Sequence, residues 1–436
     1  MAMARLQAAG AVVLAMVGYG AGPALAATGP EALFGDGHVI LDLRARYETV
    51  DDANCSACVG RDASAFTLRA RLGYETGVWG GFSALFDIDQ IWSLGDDRYN
   101  STRNGRIDRP VVSDPEQTRL NRLQISYATP FDTKVTLGRQ RLTLGNQRFV
   151  GNSGWRQHEQ TFDALALVNT SITGLTLTYA YIDRVNRVFG EDDPVPATGQ
   201  AGYFGSDSHV FHANYAGLAG LKLNAYGILI DLTQPGPSPL VAARLSTATW
   251  GVRAEGTFEI APGATLLLNA DYAVQTDYGD NPLDLRLGYW SGEAGLTWKG
   301  TTALVGYQSM TGDGTVGFST PLATLHAFNG WAEIFLTTPA NGLNAFHATL
   351  AYAAPDVLGL KSLGAALHYY EFETERTSIA LGSEIDAQVE IVFDKRFSIL
   401  LKYADYSGNG VSSAAGGWTP AAADKTVSSA VLSFKY

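Results

Sequence analysis

Arg44 and Arg46 stand two residues apart, and so do Arg69 and Arg71. In an extended chain, residues i and i+2 share a face. Each pair therefore sets two guanidinium groups side by side, with Asp42 and Glu48 flanking the first pair on the same face. A guanidinium grips a carboxylate through a bidentate fork, so rows of this kind suit an anionic ligand. Arg122, Arg184 and Arg253, the last with Glu255, fall on the polar face of further alternating segments. The acids come mostly from later in the chain: Asp271, Glu293, Glu384, Asp386 and Glu390. An arginine-rich wall facing an acidic wall is the expectation. Two chemistries are open to it. One is the handling of an anionic solute; the other is a general pore whose opposed charges set a field without a dedicated ligand.

The segments that carry these residues have a period of two. Residues 39–48 are apolar at odd positions and, from 42 on, charged at even ones; residues 66–75 repeat the pattern. It recurs over 250–256, 266–274 and 385–393. Each segment thus has one greasy and one polar face. They run to about ten residues, the length a tilted strand needs to cross a bilayer, whereas strands of soluble proteins are about half as long. Trp290, Trp298, Tyr307, Tyr352, Tyr403 and Tyr406 cluster near segment ends, where the aromatic girdles of a membrane barrel sit. Composition agrees: 48 Gly, 20 Tyr and 19 Phe against 4 Met favour strands and turns. A hydrophobic fraction of 46% with 17% charged residues excludes a disordered chain. Beyond the first 30 residues the chain lacks the run of about 18 apolar residues that a membrane helix requires.

Short and long connections take turns along the chain. The short ones fall at 76–80, 129–133, 170–174, 217–220, 259–263, 298–301, 354–361 and 393–396. The long ones fall near 49–64, 90–118, 142–160, 185–208, 232–245, 276–286, 310–342, 373–382 and 407–424. Short periplasmic turns alternating with long extracellular loops define a transmembrane antiparallel β-barrel, all-β, of about 18 strands. Residues 327–336 could form an extra strand, but an odd total would leave the C-terminus outside. They are assigned to the seventh long loop, as a short helix. A barrel of this size encloses a lumen, and the polar faces line it. Arg139 and Arg141 break the phase. Val135 and Leu137 put them on the lipid face unless a bulge flips the strand end, and arginine in lipid is costly, so they are expected inside or above the membrane. The loop 142–160, polar and Gly-rich with Trp155, has two options, folding into the lumen or standing outside.

Residues 1–26 read as a secretory signal: Arg5, the apolar stretch 8–18, and a small-x-small site at Ala24-Leu25-Ala26. Residues 27–436 form the barrel, and no separate plug domain precedes Val39. A net charge of −12 argues against nucleic-acid binding, which needs a basic face. Cys55 and Cys58 are read as a small loop disulfide or two idle thiols, since neither a thioredoxin-like context nor further zinc ligands accompany them. Gly312-Asp313-Gly314-Thr315-Val316-Gly317 has no helix after it, so it is not a dinucleotide site. His209 and His212 point to opposite faces and cannot share a metal. Asp87 and Asp89 share a face, as a lumen pair more readily than a cation site. Arg98, Arg103, Arg106 and Arg109 are read as a solvated loop. His158 beside Glu159 and His368 near Glu371 are the only hints of a hydrolase, and neither has a nucleophile at a usable spacing. No enzyme, metal or cofactor is expected.

The run Leu137-Gly138-Arg139-Gln140-Arg141-Leu142, followed by Asn146 to Ala164 with Gly154-Trp155-Arg156-Gln157 and Gln160-Thr161-Phe162-Asp163-Ala164, resembles the alginate export family of outer-membrane barrels. So do Phe328-Asn329-Gly330-Trp331-Ala332-Glu333 and Thr337-Thr338-Pro339. The resemblance implies an 18-stranded barrel with an arginine-lined constriction that passes an anionic polysaccharide. It implies Arg44, Arg46, Arg69, Arg71, Arg139, Arg148 and Arg156 as pore-surface residues, with Asp163 as an acidic partner holding the arginines. The combined expectation is a monomeric channel of the bacterial outer membrane, in contact with lipid and lipopolysaccharide. It would pass anionic saccharides or small anionic solutes along Arg44, Arg46, Arg69, Arg71, Arg122, Arg139, Arg148, Arg156, Asp163 and Arg253. A general diffusion porin is the alternative, ahead of a hydrolase or a plugged anchor. Intact-mass measurement of the protein purified from outer membranes should find a chain beginning at Ala27; a mass that retains residues 1–26 would refute the signal.

Overall fold

The computed structural model describes residues 29–95, 98–190, 200–233, 239–410 and 423–436; the segment 1–26, expected as a secretory signal, lies outside the described residues. Eighteen long strands follow one another around a single closed wall. They are β1 (His38–Asp52), β2 (Ala63–Glu75), β3 (Phe82–Ser93), β4 (Gln117–Ala128), β5 (Thr133–Gln140) and β6 (Thr161–Asn169). Next come β7 (Leu175–Asn186), β8 (Tyr203–Leu218), β9 (Leu221–Ile230), β10 (Thr247–Ala261), β11 (Ala264–Asp277) and β12 (Arg286–Trp298). The last are β13 (Thr301–Met310), β14 (Leu343–Val357), β15 (Leu360–Glu373), β16 (Ala380–Val392), β17 (Phe397–Gly408) and β18 (Lys425–Lys435). Each pairs antiparallel with its neighbour in sequence, and β1 pairs with β18 from Asp42↔Lys435 to Asp52↔Lys425. Closure removes the open edges that would otherwise present unpaired backbone groups to lipid. A two-residue strand, Leu232–Thr233, pairs with Ser206 and Gly205 of β8.

The alternation does what the period of two requires. Along β1, Arg46 and Glu48 are buried while Tyr47 between them is 46% exposed. Along β2, Thr67, Arg69 and Arg71 are buried while Phe66 and Leu72 are exposed. The outward set, including Leu123, Ile125, Trp250, Val252, Leu350, Leu367 and Leu432, forms an apolar belt whose natural solvent is hydrocarbon. The short turns need little chain. Gly263, Gly300 and Gly359 have φ of 74°, 84° and 79°, a left-handed geometry that favours glycine. A four-residue helix, Ala32–Gly35, tucks against this end of the barrel, where Tyr74 donates to the Phe34 carbonyl at 2.6 Å.

Residues 327–336 form no strand. They stay in the long loop before β14, and the expected helix is a single 3-10 turn just ahead of them, Leu325–Ala327. Cys55 and Cys58 are joined as a disulfide in the loop 53–62. The most extensive apolar core lies inside the barrel, where Phe149, Val150, Phe318 and Leu322 of two long loops pack on Phe162, Ile182, Ile228 and Tyr289 of the wall. On the outside, Leu350 lies midway along β14 and is 55% exposed. Leu350→Arg should lower the unfolding free energy in lipid vesicles by about 2–4 kcal/mol, the cost of arginine near the bilayer midplane. A urea titration giving the wild-type midpoint would show that this face does not meet lipid.

Candidate functional site

Strands β5 and β6 are the shortest of the eighteen, 8 and 9 residues. The chain between them, 141–160, turns into the lumen, with left-handed bends at Gly145, Gln147 and Ser153. Its backbone has no sheet to pair with, so its carbonyls need donors. The arginine rows supply them. Arg44 donates from Nη1 to the Gly154 carbonyl at 2.9 Å, from Nε to Gln157 Oε1 at 2.8 Å, and from Nη2 to the Arg156 carbonyl. Arg46 donates to the Trp155 carbonyl at 2.7 Å and lies 3.9 Å over the Trp155 ring. Arg69 reaches the Gln157 carbonyl at 3.3 Å, and Arg119 the Glu159 carbonyl at 2.6 Å. Gln157 answers from the loop, donating to Thr67 Oγ1 at 2.9 Å and, through its backbone N–H, to Asp114 at 2.7 Å.

Glu159 is a buried anchor. It is 2% exposed. Its carboxylate takes Arg71 at 2.9 Å, Arg141 at 2.6 Å and the Asn121 amide at 2.7 Å. Burial opposes its charge, but Arg141 and Arg71 outweigh burial and hold the carboxyl well below the usual glutamate range. The neighbouring pairs repeat this matching. Arg71 is bidentate to Asp89 at 2.6 and 2.9 Å, Arg122 pairs with Asp87, and Arg69 pairs with Asp42 at 2.7 Å. Asn121 donates to the other oxygen of Asp87 at 3.0 Å, so the oxygens of both acids are committed within the wall. His158, which a hydrolase would have to use, is fully buried, and burial together with Arg119 and Arg69 keeps it neutral. His368 bonds Thr349 through Nδ1 at 2.8 Å and meets Trp331 edge-on.

A second loop, 311–342, also folds inward. The acidic pair on β16 holds it by its N–H groups: Trp331 N–H donates to Asp386 at 3.1 Å, and Ala332 N–H to Glu384 at 2.6 Å. The two inner loops then meet. Gly151 N–H donates to the Leu322 carbonyl at 2.9 Å, and Thr324 N–H to the Gln147 carbonyl at 3.1 Å. Arg156 bridges them, reaching Glu48 of β1 at 3.1 Å and pairing with Glu333. Glu333 also takes His326 Nδ1 at 2.9 Å. Burial and the Lys402 ammonium push His326 down to about 3, and Arg156 holds Glu333 well below the usual carboxylate range against its burial.

The other expected residues stand as follows. Arg148 is buried against Phe328 and Tyr289 and directs Nη2 at Met310 Sδ, 2.6 Å away; it lies in the apolar seam, not on an open pore surface. Arg253 is on the far wall, held by Glu255 at 2.7 Å and Asp271 at 3.5 Å. Arg139 and Asp163 require a correction. The register runs unbroken along β5, so Arg139 stands opposite Leu123, which is 52% exposed on the lipid side, and opposite Asp163. No bulge turns Arg139 inward. It pairs bidentately with Asp163 at 2.7 and 3.0 Å on the outer face, and among the described residues Asp163 makes no ion pair with a lumen arginine. Arg141, one step beyond the strand, does enter the lumen. Arg184 lies against the Tyr203 ring at 3.7 Å. Two cations were overlooked, Lys402 on β17 and Lys435 on β18. Both sit on the polar phase of their strands, and the period of two in 397–406 and 430–436 would have found them.

The sequence model of the alginate export family matches residues 38–182, from β1 to β7. No curated protein matches the sequence. Three solved Pseudomonas aeruginosa structures are similar to the chain. OccK9 (OpdG) has 18% identity and a TM-score of 0.71, covering 93% of this chain and 99% of that one. OpdK has 15% identity and a TM-score of 0.68, covering 92% and 98%. OpdQ has 16% identity and a TM-score of 0.67, covering 93% and 99%. The fold is that of an integral outer-membrane barrel of the porin type.

Glu159→Gln leaves Arg71 and Arg141 without their shared charge, a loss of about 3–5 kcal/mol for a buried pair. Trypsin should then cut after Arg148 or Arg156 at pH 8 in the variant and spare the wild type; equal resistance would show that Glu159 does not hold the loop. Because the folded-state values of Glu159 and Glu333 are depressed, their stabilisation is complete above about pH 5 and fades as pH falls through those values. The difference in urea midpoint between the wild type and Glu159→Gln should therefore stay constant from pH 8 to about 5 and shrink only in stronger acid. A transition between pH 6 and 8 would contradict this.

Proposed function

We propose that the protein is a monomeric outer-membrane channel through which small anionic solutes, carboxylated saccharides among them, pass by diffusion. One observation carries this reading. On adjacent rungs of β18, β1 and β2, Asp42 stands between Lys435 and Arg71, and Arg44 stands between Ser433 and Arg69. Lys435 feels the charges of Asp42, Arg69, Arg44 and Arg141. Within this cluster Arg69 and Arg141 are matched by carboxylates, while Arg44 and Lys435 make no ion pair among the described residues. The cluster therefore keeps a surplus of positive charge on the lumen wall beneath the inner loops. Arg141 there is 36% exposed along its side chain. A carboxylate arriving at this surface would find donors already oriented by the loop, held weakly enough to be released.

A similar fold has been solved for OpdK with vanillate, a small organic anion, which agrees in chemistry. A general diffusion porin has less support, because loops 141–160 and 311–342 meet across the lumen. Catalysis has no support from His158, which is enclosed among arginines. The test is single-channel conductance in a planar bilayer under a KCl gradient, with a uronate oligomer or a simple carboxylate added. Anion preference and block by the carboxylate are expected, and Arg44→Ala should weaken that block roughly ten-fold, the worth of one charge-assisted hydrogen bond. Cation preference without block would replace this reading with the general pore.

A further inference from the structure

The lumen face of β17 carries one ammonium, Lys402, in an otherwise apolar run. Its Nζ lies 3.6 Å from the centroid of Trp331, 4.3 Å from that of Trp155, and 2.6 Å from His326 Nε2. These partners come from both inner loops: Trp155 from 141–160, His326 and Trp331 from 311–342. The His326 ring lies flat on Trp155, with centroids 4.4 Å apart and planes at 5°. An ammonium can only donate, so Lys402 requires His326 Nε2 to be the acceptor. The other ring nitrogen, Nδ1, then carries the hydrogen and donates it to Glu333. Lys402 makes no ion pair with a carboxylate among the described residues. Its contacts are π faces and one imidazole, the surroundings of an aromatic cage, with the carboxylates of Asp386, Glu333 and Glu48 farther off.

We propose that Trp155, Trp331 and His326 form a binding cage for a primary ammonium group, filled by Lys402, and that this tethered ammonium fastens the two inner loops to β17 as a closed gate. The gate rests on the channel reading above; the cage does not. The loops are already knit to each other by backbone bonds and by Arg156. Lys402 is the point at which one wall side chain reaches aromatic groups of both. Without the tether, the cage is left to a free alkylammonium of similar size.

The test uses the full chain. Lys402→Ala should lower the closed-to-open ratio of single channels roughly ten-fold, the size of one desolvated cation–π contact. n-Propylammonium should then restore the closed state of this variant in a saturable way and leave the wild type unaffected. Lys402→Met keeps the stem and loses only the charge. It should gate like the alanine variant, and it supplies the reading if the alanine variant does not fold. Wild-type gating in either variant, or an equal effect of n-propylammonium on wild type and variant, overturns the gate. Calorimetric titration of n-propylammonium into the detergent-solubilised variant separates the two claims. Saturable heat that the wild type lacks, from a protein that never conducts, would keep the cage and remove the channel. A flat titration removes the cage.

Discussion

A guanidinium taken out of water must be given acceptors, and a loop taken out of water must be given donors. In this barrel each need answers the other. Arg44, Arg46, Arg69 and Arg119 satisfy the carbonyls of 141–160, while Glu159 returns a carboxylate to Arg71 and Arg141. The arginine rows are therefore first of all the scaffold of an inner loop. In the proposed reading, a solute meets the positive charge of Arg44 and Lys435, which have no ion pair among the described residues. This also reconciles a net charge of −12 with a basic cluster in the lumen: many of the acids are spent within a few ångströms of arginines, and the surplus is local.

The two walls of opposite charge have a common logic. A peptide group has a negative end and a positive end. The basic wall of β1, β2 and β4 takes one loop by its carbonyl oxygens, and the acidic pair Glu384 and Asp386 takes the other by its N–H groups. Between them the loops bury an apolar and aromatic seam, with Phe149 and Phe318 against Tyr226 and Tyr289. Charge fixes where each loop attaches, and hydrophobic burial brings the two together.

The wall was largely legible from the sequence because a period of two is a local property. Strand faces, turns and the outward belt follow from it, and the odd segment 327–336 was resolved by counting strands. The lumen was legible only in its inventory. Nothing local says that Arg44 will spend its donors on residues more than 100 positions away, or that Gln157 will meet Thr67. Arg139 shows the limit most clearly. Cost argued for turning it inward, but an adjacent carboxylate on the next strand, Asp163, neutralises it where the register places it. Lys402 and Lys435 were within reach of the same alternation that exposed Arg44. They were passed over because each is a single charge in an apolar run, without the repetition that made the arginine pairs conspicuous.

The low hairpin of β5 and β6 has a further consequence, for the order in which the molecule can be made. The loop it carries is held mainly by β1, β2 and β4, all earlier in the chain. Most of the polar matching of residues 38–182 is thus internal to that stretch. The second inner loop depends on β16, and closure depends on β18 finding β1 across the whole length of the chain. Contacts so distant in sequence form late, because the loop entropy must be met before they repay it. The first third of the protein is thus a unit that can settle its buried charges early, while the remaining strands are added around a lumen already half filled.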